Sequence, residues 1–116
     1  MPVRSLGSPV IRWPAKDEVH AAVVRWARAL VEERPEVVRV GYFGSYAKGD
    51  WGVGSDVDLV VIVSRAGEPF PRRGAAYDAT SLPVPADLLA YTEGEWSRLE
   101  AERRGPAGGE IVWVTQ

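Results

Sequence analysis

The stretch VVRVGYFGSYAKGDWGVGSDVDLVVIV, Val37 to Val63, decides how the rest of the chain is read. Its first seven residues are rich in β-branched and aromatic side chains, as a buried or half-buried strand requires. Gly44 breaks that run. Residues Ser45 to Asp56 then carry Gly49, Gly52 and Gly54, the composition of a tight loop, with room for one short helical turn around Tyr46 to Lys48. Val57 to Val63 (VDLVVIV) is the most strand-like stretch of all. Two strands joined by a glycine-rich loop are therefore predicted.

Upstream, Val19, Ala22, Val23, Trp26, Ala27, Leu30 and Val31 recur at three- and four-residue steps, which predicts an amphipathic helix over Lys16 to Glu33, ended by Pro35. His20 falls on the exposed or edge side of that helix and reads as structural. Residues 1–15 read as an irregular lead-in, pinned to the body by Val10, Ile11 and Trp13. Downstream, Ser64 to Pro83 reads as a loop with at most a short helix near Gly74 to Asp78, and Val84 to Tyr91 as a third strand with Pro85 near its start. Thr92 and Glu95 match a capping box, so a second long helix is expected from Glu93 to about Arg104. Ile111 to Thr115 closes the chain as a fourth strand. The fold class is α/β (α+β): a small mixed sheet of about four strands with helices mainly on one face.

The chain has 116 residues, 14 Lys plus Arg against 16 Asp plus Glu, no Cys and one His. A chain of this length supports one compact core, so residues 1–116 read as a single domain. Without cysteine there are no disulfides, thiolate zinc sites or cysteine nucleophiles, and a lone His disfavours a multi-histidine metal site. The formal charge of −2 offers no global attraction to nucleic acid, so direct nucleic-acid binding is not expected. The N-terminus lacks a signal-peptide core and no apolar run approaches a membrane span, which makes a cytoplasmic location the expectation.

Chemistry concentrates at the ends of the first two strands. Asp56 and Asp58, two apart, project to the same side of an extended chain. Paired carboxylates repel unless a cation neutralises them, and hard oxygen ligands of this kind suit Mg²⁺ or Mn²⁺ completed by substrate phosphates. A glycine at Gly44 lets backbone approach a phosphate closely, while the Ser45 hydroxyl and a lysine at Lys48 can bind its oxygens. Asp87, between Pro85, Ala86, Leu88 and Leu89, occupies an apolar stretch where an unpaired charge is expensive. If its strand lies beside Val57 to Val63, Asp87 completes a three-carboxylate cluster able to hold two metals.

Gly44-Ser45, ten residues, then Asp56-Val57-Asp58 resembles the signature of the DNA polymerase β-like nucleotidyltransferase superfamily, and the size resembles its minimal nucleotidyltransferase (MNT) branch. The likeness runs from Ile11-Arg12-Trp13-Pro14 through Leu82 to Asp87 and on to Tyr91-Thr92. Tyr46 and Lys48 stand where many members of the family carry Arg. The resemblance implies transfer of a nucleoside monophosphate, AMP from ATP, to an acceptor hydroxyl. It assigns Asp56 and Asp58 to two Mg²⁺ ions, Asp87 to the metal beside the acceptor, and Gly44 and Ser45 to the β- and γ-phosphates, with Lys48 as a helper. It also implies a HEPN-family helical protein as partner, a tyrosine of that toxin as acceptor, and an antitoxin role.

Plainer readings stand beside these. Asp residues are common at strand entries after glycine-rich turns, Asp87 can be satisfied by backbone amides, and Lys48 can be a solvated loop lysine. Arg72-Arg73 is a solvated pair or a contact for a partner or phosphate. Trp26 and Trp96 have core spacing, whereas Trp51 either covers the nucleotide or faces a partner. A catalytically idle antitoxin acting by occlusion, an enzyme acting on an aminoglycoside-like acceptor, and a homo-oligomer all remain open.

Overall fold

A computed structural model describes residues 13–115. Helix α1 spans Lys16–Glu33, as its apolar periodicity predicts, and buries Val19, Ala22, Val23, Ala27 and Leu30. The Arg34 amide donates to the Leu30 carbonyl at 2.8 Å, and Pro35, with no amide hydrogen to give, turns the chain out of the helix. Val10 and Ile11 lie outside the described residues. Trp13 does anchor the lead-in: its indole Nε1 donates to the Tyr46 hydroxyl at 3.0 Å, which donates in turn to the Pro14 carbonyl at 3.2 Å.

Strands β1 (Val37–Phe43) and β2 (Val57–Val63) take the predicted bounds and flank the short helix α2 (Ser45–Lys48). Together with β3 (Ala86–Thr92) and β4 (Ile111–Trp113) they form one mixed sheet in the order β3-β2-β1-β4. β1 runs antiparallel to β2 and β4, while β2 runs parallel to β3. Alternation along β2 then divides the core. Val57, Leu59, Val61 and Val63 pack on the α1 side, and Val60 and Ile62 pack with Trp96 and Trp113 on the other. Helices α1 and α2 serve the first side, in keeping with helices mainly on one face. α4 (Glu93–Glu102) covers part of the opposite side.

Several bounds differ from expectation, each for a local reason. β3 starts at Ala86 rather than Val84 because Pro85 has no amide to give the ladder, although its carbonyl still accepts from Val57 at 2.9 Å. The short helix expected near Gly74 to Asp78 is α3, Phe70–Arg73, continued by a single 3₁₀ turn over Gly74–Ala76. Pro71 in its first turn explains the earlier start, since proline suits that position. α4 ends at Glu102 with Arg103 in the left-handed region, φ 52°, before a 3₁₀ turn at Gly105–Gly108. β4 stops at Trp113 because Thr115 leaves the ladder: its Oγ1 accepts from the Val40 amide at 2.9 Å. Among the described residues, no helix is long and apolar enough to cross a membrane.

Arg73 resolves half of the Arg72-Arg73 question, because it is a fold clamp rather than a solvated cation. It donates to both Glu95 carboxylate oxygens and to the carbonyls of Glu68 and Ala90, so the α3 segment closes over β3. Glu95 also completes the capping box, accepting from the Thr92 amide at 2.8 Å while its own amide donates to Thr92 Oγ1 at 3.2 Å. The Arg73 guanidinium holds the Glu95 carboxyl below the usual carboxylate range. Glu95→Ala should therefore cost about 1–2 kcal/mol, as loss of a cap plus a charge-assisted pair implies. Because the folded-state pKa is depressed, this contribution is present above the ordinary glutamate value and is lost as pH falls through the lowered one. Thermal melts of wild type and variant should converge in acid, and an unchanged gap there would count against the assignment.

Candidate active site

The end of β1 is shaped by one close approach. Antiparallel pairing sets Phe43 opposite Asp58, so the next residue, Gly44, lies against the Asp58 carboxylate. Gly44 has φ +76°, and a Cβ built there would overlap Asp58 Oδ2. Only glycine meets both conditions. The Gly-Ser pair thus has a structural requirement apart from any phosphate: it makes room for the acidic side chain of the neighbouring strand. Ser45 follows as the first residue of α2 and is half-buried, with its carbonyl accepting from the Gly49 and Asp50 amides at 2.9 and 3.1 Å. Lys48, on the last turn of α2, is exposed.

The parallel register pairs Asp58 directly with Asp87, and adjacent register partners put their side chains on the same face. Asp56 stands just ahead of β2, exposed, and near enough for its charge to act on Asp58. Burial, the Asp87 carboxylate and the Asp56 carboxylate, in that order, all push the Asp58 pKa up. Asp87 itself is exposed on the edge strand, not enclosed in the apolar setting that its sequence neighbours suggest. Its neighbours Ala86 and Leu88 point to the α1 side, whereas Asp87 points to the other.

Among the described residues, no three His, Cys, Asp or Glu side chains form a ready-made metal cage. The donor set nevertheless fits a hard divalent cation. Mg²⁺ commonly takes one or two carboxylates, and substrate phosphates and water complete its octahedron. Asp58 with Asp87 or Asp56 supplies that number of oxygens.

The aromatic support behind the loop rests on contacts that no local pattern reveals. Tyr46 is fully buried and stacks on Trp51, with ring centroids 5.8 Å apart and planes within 3°. Trp51 is thus a strut for the 49–56 loop, and Tyr46 belongs to the core. Ser55 closes the loop, its Oγ accepting from the Gly52 amide at 2.8 Å and its amide donating to the Gly52 carbonyl at 2.9 Å. Val53, at the tip, is 73% exposed. His20 is structural, as expected, with its Nδ1 2.9 Å from the Tyr42 hydroxyl. Trp26 packs against the core and donates to the Asp78 carbonyl, and Trp96 is buried.

A family model described as "Nucleotidyltransferase domain" matches residues 24–104, well over half of the chain. Among solved structures, a protein of Sulfolobus solfataricus provisionally described as a nucleotidyltransferase superimposes with a TM-score of 0.62. The two share 18% identity, and the match covers 84% of this chain and 80% of that one, a likeness of fold. No curated protein gives a significant sequence match.

Two substitutions test the geometry. Gly44→Ala should destabilise the protein by about 1–3 kcal/mol, the usual cost of a side chain in a left-handed conformation with no space. A melting temperature unchanged from wild type would mean that Gly44 and Asp58 are not in contact. Asp58→Asn should do the opposite. A raised folded-state pKa means that the ionised Asp58 opposes folding, a cost absent in acid and growing as pH rises above the ordinary aspartate value. In chelator at neutral pH, Asp58→Asn should gain roughly 0.5 kcal/mol after allowance for solvent screening. A loss instead would make Asp58 a structural acceptor.

Proposed function

The chain belongs to the nucleotidyltransferase domain family, and on that premise we propose that it transfers AMP from ATP to a tyrosine hydroxyl of a HEPN-type helical partner, as the antitoxin of a toxin–antitoxin pair. The observation that carries the chemical part is the pairing of Asp58 with Asp87 beside the Gly44-Ser45 turn, with Asp56 near enough for its charge to act on Asp58. Asp56 and Asp58 would hold two Mg²⁺ ions, with Asp87 on the acceptor side. When bound, such ions neutralise the triphosphate and lower the pKa of the attacking hydroxyl.

The residues of the chain do the positioning. Ser45 Oγ and the backbone at Gly44 would hold the β- and γ-phosphates, with exposed Lys48 close by on α2 as a counter-charge. Asp56, Asp58 and Asp87 would hold the ions with which the triphosphate presents its α-phosphorus in line with the acceptor. The acceptor oxygen forms a bond to the α-phosphorus, the bond from that phosphorus to the β-bridging oxygen breaks, and pyrophosphate leaves while the hydroxyl gives up its proton to solvent water. The Trp51–Tyr46 stack supports the reading indirectly, because it ties the loop that ends at Asp56 to the core. No aromatic platform is needed to explain it.

Incubation with labelled ATP, Mg²⁺ and the helical partner should label the partner on tyrosine. Asp56→Asn and Asp58→Asn should each reduce labelling by at least about a hundredfold, as loss of electrostatic stabilisation at a phosphoryl-transfer centre implies. Both variants should keep the wild-type fold by circular dichroism. Tight complex formation without labelling would favour neutralisation by occlusion, and full activity in both variants would remove these residues from the site.

A further inference from the structure

Beside Asp87, a groove of about 840 Å³ opens between β3 and the 71–85 segment. Its walls are stiff. Pro71, Pro83 and Pro85 fix their own φ, Leu82 and Val84 are anchored in the core, and the Gly74 turn lies so close to the Leu88 carbonyl that a side chain there would overlap it. The groove is therefore formed in advance rather than opened by a ligand.

Its charge is one-sided, and several of its donors are engaged. Proline contributes a carbonyl and no N–H donor. Among the donors, Thr80 spends both its amide and its hydroxyl on Asp78 Oδ1, at 2.9 and 2.6 Å. The Leu82 amide donates to the Ala79 carbonyl, the Tyr77 amide to the Gly74 carbonyl, and the Tyr77 hydroxyl to Glu36. The charged side chains among its described lining residues are Asp78 and Asp87, with no Lys, Arg or His. Thr80 holds the Asp78 carboxyl below its usual range, so that charge persists into mild acid. Asp78 also lies outside the candidate metal-ligand set. Its charge therefore remains when cations neutralise Asp87.

A preformed groove lined by two carboxylates and by no cationic side chain among its described residues suits ammonium and guanidinium groups and repels phosphate. We propose that this groove seats a basic segment of the acceptor protein, whose Lys or Arg side chains flank the hydroxyl presented at Asp87, and that it turns away anionic acceptors. This rests on the nucleotidyl-transfer reading above and adds the charge of the substrate to it.

The test separates binding from chemistry. Three fluorescent peptides of equal length, each with one tyrosine flanked by Lys and Arg, by Ser, or by Asp and Glu, are titrated by anisotropy without nucleotide. The basic peptide should bind about tenfold more tightly than the acidic one, as two exposed charge contacts imply, with the contrast shrinking in high salt. Asp78→Asn should cut the contrast by about threefold, the worth of one such contact, whereas Asp78→Glu and the remote Glu32→Gln should preserve it. Equal binding of the acidic peptide, or a contrast untouched by Asp78→Asn, overturns the proposal. A simple polyamine that binds as tightly as the basic peptide overturns the assignment to a protein segment. Labelled ATP and Mg²⁺ are then added. A binding contrast without tyrosine labelling upholds the groove and counts against AMP transfer, and labelling without a contrast does the reverse.

Discussion

Like charges on adjacent strands repel, and the pairing of β2 with β3 sets Asp58 beside Asp87 on one face of the sheet. Everything around them serves to hold that unfavourable arrangement. Val57, Leu59, Val60, Val61, Ile62 and Val63 are buried on both faces of β2, so the strand cannot slip register without exposing a face of the core. Antiparallel β1 then brings Gly44 against the same carboxylate, and the absent side chain of that glycine is the space in which Asp58 stands. Apolar burial fixes the backbone. The backbone in turn fixes the charges.

The arrangement is held from outside as well. Arg73 and the Gly74 turn close over β3, and Glu95 links that clamp to the start of α4. On the other flank, Trp13, Tyr46 and Trp51 fasten the lead-in and the glycine-rich loop to α2. The loop between β1 and β2 can therefore be rich in glycine without being loose. Its conformational freedom is limited by two aromatic contacts and one serine turn.

Much of this was legible in the sequence, and the limits have a physical explanation. α1 reveals itself through its apolar period, β1 and β2 through runs of β-branched and aromatic residues, and the capping box at Thr92 is a four-residue signal complete in itself. The carboxylates were likewise visible through their spacing. What escaped depends on residues distant in the chain. Tyr46 reads as a loop aromatic until Trp13, 33 residues earlier, is seen to donate to its hydroxyl. Arg73 reads as half of a solvated pair until Glu95, 22 residues later, is found in its fork. Asp87 looked buried because its neighbours are apolar, but Ala86 and Leu88 describe the opposite face of an edge strand.

The raised Asp58 carries a consequence for how long the folded molecule persists. A charge that opposes folding lies where a cation or a cation–nucleotide complex would relieve it. Any species that binds there binds only the folded state, and so removes part of the population open to unfolding and proteolysis. Occupancy and lifetime are thereby coupled. A cell poor in the occupant would hold less of this protein, with no change in its synthesis.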